Sequence, residues 1–600
     1  LVDLAATWPT DAPQYICREQ PSAPLSAHRA LDRRMRSLSH HSKAVASCLC
    51  VLGTTVTLPE VIRLTDITRE ECVDAVEELY ASGLLDWTDP GIGLRYRIFG
   101  VALYEKLSPA RRSLLHTRVA ELLHNSDGHG CSDRIALHYY RAGKHDIAYE
   151  YATTAVKRAA GSDVRTRLLF LTLAYDASNG VRRRTAALKL ARLNKQCRRL
   201  DAALRRAEEL LRDPGGLIEI ETGELRLIAA EARHRLGIAG TAPTLAEFAA
   251  IEREASGPKG ECLRAAVLDA TVQLLDRVGD NAAVLELQAR IGELAPMSHP
   301  AAQSRVCAAL STVASRSEPE AAVRLGRQAV EAAREAAQPD ELAVALQRLV
   351  VALASVGRLG TEEGWNTLNE VRKAHAEAGN TGAFALALLH LTDWQTKTGD
   401  HETAEATLAE AATTVVHMDC PEIRTLEALV RGNLAIAQGD IDAARVSLRK
   451  GLEIVAGAPG GDSSPPSIPR RMVSALDGLE GNLLLESGKF ALASEVEQRT
   501  PLPDSLENAP SDLIVFHSRL ASRRGDARYA LALLERAVAA NGGTRPMAWL
   551  RLALEVVRLA RRSGAPRPEL AAKAHATATG LGLTGLAHEF LPFRAGTNRP

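Results

Sequence analysis

At 600 residues the chain is too long for one hydrophobic core, so it is either several domains or an extended repeat array. Its 73 basic and 73 acidic side chains cancel, which excludes a global field that would gather nucleic acid or a membrane surface. Apolar residues reach 46% while aromatics are only 4%, a balance that suits Ala- and Leu-packed helices better than sheets.

The nine cysteines are scattered and none forms a C-x-x-C pair, as expected of a reduced, cytoplasmic protein. No apolar run reaches about 18 residues, so no membrane span is expected. Arg outnumbers Lys 61 to 12, which reflects a high-GC genome more simply than a binding surface. The chain starts with Leu, and the expectation is a fragment or a product processed at its N-terminus.

Residues 1–25, with Pro9, Pro13, Pro21 and Pro24, are predicted to be irregular. Helices are predicted over Ser26–Leu38 and His40–Leu52, the second stopped by Gly53. Pro59 sits well in the first turn of a third helix. Thr68 and Glu71 have capping-box spacing and open a fourth helix, apolar at Cys72, Val73, Val76 and Leu79 and closed by Gly83. Two short strands, Leu84–Trp87 and Leu94–Tyr96, are predicted around Asp89-Pro90-Gly91. This order predicts a winged-helix module over residues 26–107. A DNA-reading role for its last helix is disfavoured, because Glu70, Glu71, Asp74, Glu77 and Glu78 outweigh the single Arg69 and would repel phosphates. Intramolecular packing is the favoured use.

From Ser108 the text is helical. A break of the form Gly-Asp/Lys-x-x-x-Ala recurs at Gly143, Gly399, Gly439, Gly488 and Gly525, with weaker copies at Gly279 and Gly357. Steps of 42, 40, 49 and 37 residues from Gly357 onward are those of helix-pair repeats. Gly ends one helix in a left-handed turn, Asp caps the next, and Ala lets the pair approach closely. The stripe Ile441, Ala444, Leu448, Leu452, Val455 is one buried face, so neighbouring pairs must stack. The fold expected is all-α: the winged-helix module, then an α-solenoid of tetratricopeptide-like pairs over 108–456, a flexible linker at 457–468, further repeats over 469–591 and a polar tail at 592–600. Thr500–Pro510 reads as a second loop.

Chemistry is sparse. There is no G-x-x-x-x-G-K-[ST] phosphate cradle, no G-x-G-x-x-G, no G-x-S-x-G and no H-E-x-x-H. His124, His129, Cys131, Asp133 and His138 are ligand types for zinc, but their spacing fits no closed site and a polar connector is the simpler reading. Cys48 and Cys50 are expected to pack as small hydrophobes. The basic run 182–213 has no interleaved aromatic residue and reads as a solvated helix face. Trp365, Trp394 and Trp549 are candidates for lining a ligand groove, with core packing as the commoner use of such residues. No catalytic, cofactor-binding or metal residue is assigned, and the chain is read as not an enzyme.

The run LDRRMRSLSHHSKAVASCLCVLG…VTLPEVIRLTDIT…CVDAVEELYASGLL is similar to the segment after the NTPase in large ATP-binding LuxR-family regulators, the STAND-type, MalT-like proteins. LRYRIFGVALYEKLSPARRSLLHTRVAELL resembles their linker, and IALHYYRAGKHDIAYEYATTAVKRA their first tetratricopeptide-like pair. The match covers about residues 25–160. In that family an ATPase binds nucleotide, the repeats sense an effector or partner, and a C-terminal helix-turn-helix binds promoters. Neither a nucleotide motif before residue 25 nor a helix-turn-helix after Leu591 is seen, so ATP is expected only with an upstream NTPase and promoter DNA only through a missing domain. Where the family has a His and a basic residue after the wing, this chain has Tyr96 and Gly100. Arg95, Tyr96 and Arg97 are the candidates for interdomain coupling. The resemblance implies a sensor and scaffold region, either the central part of a larger regulator or a relative that lost both activities, binding a protein partner or small-molecule effector in the solenoid groove. The alternative is a stand-alone adaptor that assembles protein complexes.

Overall fold

In a computed structural model, residues 23–594 are described apart from 54, 89–90, 128–130, 160–163, 256, 258–259, 279, 295–296, 379, 417, 419, 458–467, 504–505, 507–508, 542–545 and 582. The described residues are helical almost throughout, with one two-stranded antiparallel sheet. They form two compact units that divide between Leu190 and Ala191. No described helix is long and apolar enough to cross a membrane. The expected irregular start and the 457–468 linker lie almost wholly outside the described residues, and the expected polar tail does so from residue 595.

The first unit opens with α1 (Leu25–Met35), α2 (His40–Leu52), α3 (Leu58–Thr65) and α4 (Arg69–Ala81). Local chemistry sets each boundary. The Ser39 hydroxyl accepts from the Ser42 N–H, and Thr57/Glu60 and Thr68/Glu71 form capping boxes. Gly53 and Gly83 close α2 and α4 in left-handed turns at φ 68° and 72°. The centre of the unit is α2, buried on nearly every side because Ser42, Ala44, Ala46, Ser47 and Cys48 are small enough for α3 and α4 to approach. Burial pushes the Cys48 thiol up to about 11 and Cys50 further still, so both act as packing groups.

The hairpin corrects the expected register. Its strands are β1 (Leu85–Thr88) and β2 (Gly91–Leu94), with Leu85 opposite Leu94 and Trp87 opposite Ile92. Gly91 and Gly93 are strand residues because Thr55 and Val56 cross against them. Val56 N–H donates to Ile92 O at 2.9 Å, and a Cβ on Gly91 would lie 2.7 Å from Val56 O. Glycine marks a close approach here and not a turn.

The unit continues through α5 (Arg97–Lys106), α6 (Pro109–Asp127), α7 (Ser132–Arg141) and α8 (His145–Arg158). His116 on α6 and His138 on α7 are buried with their Nδ1 atoms 2.8 Å apart, and Tyr104 Oη lies 2.9 Å from His116 Nε2. The two Nδ1 atoms have room for one proton between them. Burial, with Arg141 and Arg112 adding repulsion, pushes His116 down to about 3, and burial with the neighbouring His116 pushes His138 well down. The unfolded chain therefore takes up protons below its ordinary value of 6.5 while the folded pair does not, so stability is lost as pH falls. Acidifying to about pH 4.5 is expected to cost roughly 2–3 kcal/mol through His116, at about 1.4 kcal/mol per pH unit, with His138 acting in the same direction. Urea unfolding of His138→Asn should show a flatter slope over that window, and an unchanged slope would show that the pair does not control it.

The second unit stacks helices in pairs, each first helix packing on its partner and on the next first helix. Gly237, Gly357, Gly399, Gly439, Gly488, Gly525 and Gly564 each end a first helix at φ between 70° and 94°. Asp280, Asp400, Asp440 and Asp526 then cap the following helices through their carboxylates. Thr500–Pro510 is non-helical in its described part, as expected. Along the outer helices Arg327–Glu363, Arg334–Glu370 and Arg372–Glu410 pair at 2.6–2.8 Å across 36–38 residues, one repeat apart. These pairs are roughly half exposed and worth under about 1 kcal/mol each, so they report the repeat register more than they stabilise it.

Candidate functional site

The first helices of successive pairs, from Glu219–Arg235 to Pro546–Arg562, turn one face inward around a cavity of about 580 Å³ in the second unit. Its size falls within the range of small-ligand sites, about 300–1,000 Å³. The stack returns on itself there. Glu422 accepts from Arg235 at 3.0 Å and from Arg277 at 2.6 Å, partners 187 and 145 residues away. Arg471 Nη2 lies 3.1 Å from Asp276. Burial alone would raise the Glu422 carboxyl, but Arg277, Arg235 and Arg198 overcome it and hold the group at about 2. Burial pushes His390, on the same wall, down to about 4, so it is neutral at pH 7. Leu386, Leu389, Trp394, Ile423, Leu426 and Met472 add an apolar part to the lining. The arrangement can bind and orient a ligand with one polar end.

The structure does not bring the three candidate tryptophans together. Trp394 lines the cavity and is 6% exposed. Trp549 is packed in the core with Lys573 Nζ 5.4 Å from its ring centre. Trp365 is 44% exposed over a small separate pocket. Arg95 and Arg97 are exposed beside the hairpin, Arg95 lying 3.9 Å from Asp86, while Tyr96 is half-buried edge-on to Phe99.

Two of the residues weighed as metal ligands have other partners. His124 Nδ1 lies 2.7 Å from Tyr151 Oη, His138 belongs to the buried pair, and Asp133 is exposed. His129 lies outside the described residues.

The basic run 182–213 is not one solvated face. Arg192 pairs with Glu224 and Lys195 with Glu231, and Arg198 is turned into the cavity. The residues that build the site (Arg198, Arg235, Arg277 and Glu422) escaped sequence reasoning because they are far apart in the chain. A signal did exist for one of them. CRRLDAA at 197–203 aligns with QGDIDAA at 438–444, which puts Arg198 in the slot of Gly439.

No protein-family profile matches the chain, and no curated protein matches it in sequence. Solved structures of helical-repeat proteins are similar to it. One is a signal-transduction ATPase with numerous domains (STAND) protein with a tetratricopeptide repeat sensor from Pyrococcus horikoshii, at 12% identity and TM-score 0.29 over 74% of this chain and 66% of that one. The chain thus spans just under two thirds of that protein's length. Others are the APC/C hetero-tetramer Cut9–Hcn1, at 12% identity and TM-score 0.42 over 81% and 91%, and yeast Tom70, at 12% and 0.28 over 77% and 95%.

Proposed function

We propose that the chain is the sensor and scaffold region of a STAND-type transcription regulator. The second unit takes an effector or partner in its interior, and the first unit passes the change to an adjoining ATPase. The cavity carries this reading, because it is built from helices far apart in sequence and a ligand there touches many repeats at once. Such a ligand favours one arrangement of the stack over others, which is what a sensor needs. The resemblance of residues 25–160 to the MalT-like regulators supports the coupling role. The helices α2–α4 and the hairpin are read as a winged helix that does not read DNA. Glu70, Asp74 and Glu77 are exposed on α4 and repel phosphates. Arg95 and Arg97 are exposed beside the hairpin, and this reading places the contact to an adjoining domain there.

The chain by itself is expected neither to bind ATP nor to retain promoter DNA. Isothermal titration with Mg-ATP should give no heat of binding, and a micromolar constant would overturn the reading. Occupation of the cavity should slow amide exchange on Thr381–Thr398 and Pro421–Ala437. If exchange there is indifferent to every compound that raises the melting temperature, the cavity is not the sensor.

A further inference from the structure

We propose that this cavity binds a small organic anion, a carboxylate or phosphate monoester with an apolar body, whose charged group meets Arg198 beside Arg235 and Arg277. The inference rests on the reading of the cavity as an effector site and adds the chemistry of the ligand.

The argument starts from charge. Each lining carboxylate already has a cation: Asp276 pairs with Arg471, Asp393 with Lys397, Asp512 with Arg551, and Glu422 with both Arg235 and Arg277. Arg198 lines the same space and has no carboxylate within salt-bridge distance among the described residues. Arg348, also on the wall, is 3.9 Å from Asp269, and its buried Nε has no hydrogen-bond partner among the described residues. Glu231 acts on Arg198 and Arg235 from behind the wall, but Lys195 already bridges it at 2.9 Å, so the cavity holds more positive charge than the acids around it neutralise. Arg198 is half-buried, and a cation partly withdrawn from water is costly unless paired, so the missing counter-charge points to a ligand.

The backbone at Arg198 supports the same conclusion. Seven other first helices of the second unit end in a glycine with positive φ, and this one ends in Arg198 at φ 55°. Its N–H still donates to Lys195 O as Gly439 N–H donates to Ile436 O, so the turn is the same turn made with a strained residue. The opposite helix makes room for the side chain, since a Cβ on Gly382 would lie 2.7 Å from Arg198 Cγ. A residue that is locally unfavourable yet accommodated on both sides fits a functional role. Burial and the neighbouring Arg235 also push its pKa down to about 10, a shift that a bound anion would reverse.

The rest of the lining sets the ligand's body. Leu386, Leu389, Trp394, Ile423 and Leu426 offer apolar surface. The volume of about 580 Å³, crossed by the Arg235–Glu422 and Arg471–Asp276 bridges, suits a compact molecule rather than an extended acidic peptide.

The test uses the full chain with octanoate, octyl phosphate, uncharged octanamide and a dodecaglutamate peptide, by calorimetry and thermal shift. One of the two anions should bind one-to-one at least roughly ten-fold more tightly than octanamide. Whichever binds more tightly separates the carboxylate from the phosphate source. Arg198→Gln should remove that preference, lowering anion affinity at least roughly ten-fold while octanamide affinity stays level. Should that variant be unfolded by circular dichroism, raising salt on the unaltered chain should weaken the anion and leave octanamide unchanged. Octanamide binding as well as the anions overturns the inference and leaves the effector cavity standing. Binding of the peptide alone overturns it in favour of an acidic segment. If no probe binds and none slows exchange on Thr381–Thr398, both the inference and the effector reading fall.

Discussion

Glu422→Ala is expected to destabilise the second unit by about 3–5 kcal/mol, the cost of leaving a buried ion-pair partner uncompensated. One carboxylate holds Arg235 and Arg277, whose side chains are 11% and 5% exposed, and it also faces Arg198. Removing it leaves three guanidiniums in one interior with only Glu231, already bridged to Lys195, close enough to offset them. Urea unfolding followed by circular dichroism measures the loss, and a loss under about 1 kcal/mol would show that the pairs act as a weak surface cluster does. The double variant Glu422→Leu, Arg277→Met should lose less than Glu422→Ala, because an apolar pair can replace a buried ion pair at little cost. The pH dependence has a definite sign. The folded carboxyl titrates near 2 against an ordinary 4.5, so its contribution is complete above about pH 4.5 and fades as pH falls toward 2.

Gly478→Val is expected to cost about 3 kcal/mol or more, in the overpacking range, although in an isolated helix losing a glycine is favourable or neutral. Gly478 and Gly481 lie one turn apart on the Arg470–Glu486 helix, where it meets Ser511–Arg523. A Cβ on Gly478 would lie 2.5 Å from Leu513 N and 2.7 Å from its Cα, and one on Gly481 would overlap the Phe516 ring. Asn482 Nδ2 donates to Asp512 O at 3.1 Å across the same contact. The clash at Gly478 is with backbone, which has no rotamer to yield, so the two helices must separate. Gly580→Ala supplies the opposite sign. Nothing lies within 4 Å of an added Cβ there, and the change should be neutral or stabilising by up to about 1 kcal/mol. Thermal unfolding of both variants checks the pair, and equal shifts would refute the close-contact account.

Much of the architecture was legible because it is written locally. Thr68 and Glu71 announce their cap within four residues, and Gly399, Gly439, Gly488 and Gly525 announce their turns in the same way. The hairpin register was less so, because Gly91 and Gly93 answer to Val56 and Thr55, about 35 residues back. The charged part of the cavity was hardly legible, although Trp394 was a candidate and does line it. Arg198 looks like one more cation in a basic stretch until the stack folds it inward. Glu422 looks like the first acidic residue of an ordinary helix until Arg235 and Arg277 arrive from earlier repeats. Of the three tryptophans only Trp394 lines the cavity, because size alone does not say which face of a helix is inward.

The return of the second unit onto itself limits how its sequence can change. Open repeat arrays gain and lose whole units freely, since each repeat touches only its neighbours. Here Arg235 must reach Glu422 across 187 residues, and a Cβ on Gly357 would lie 2.9 Å from Leu581 Cδ2. Duplicating or deleting one helix pair between those anchors would shift each partner by a whole repeat and break both contacts. The unit therefore has a fixed repeat number, and it is one indivisible part rather than a string of interchangeable ones.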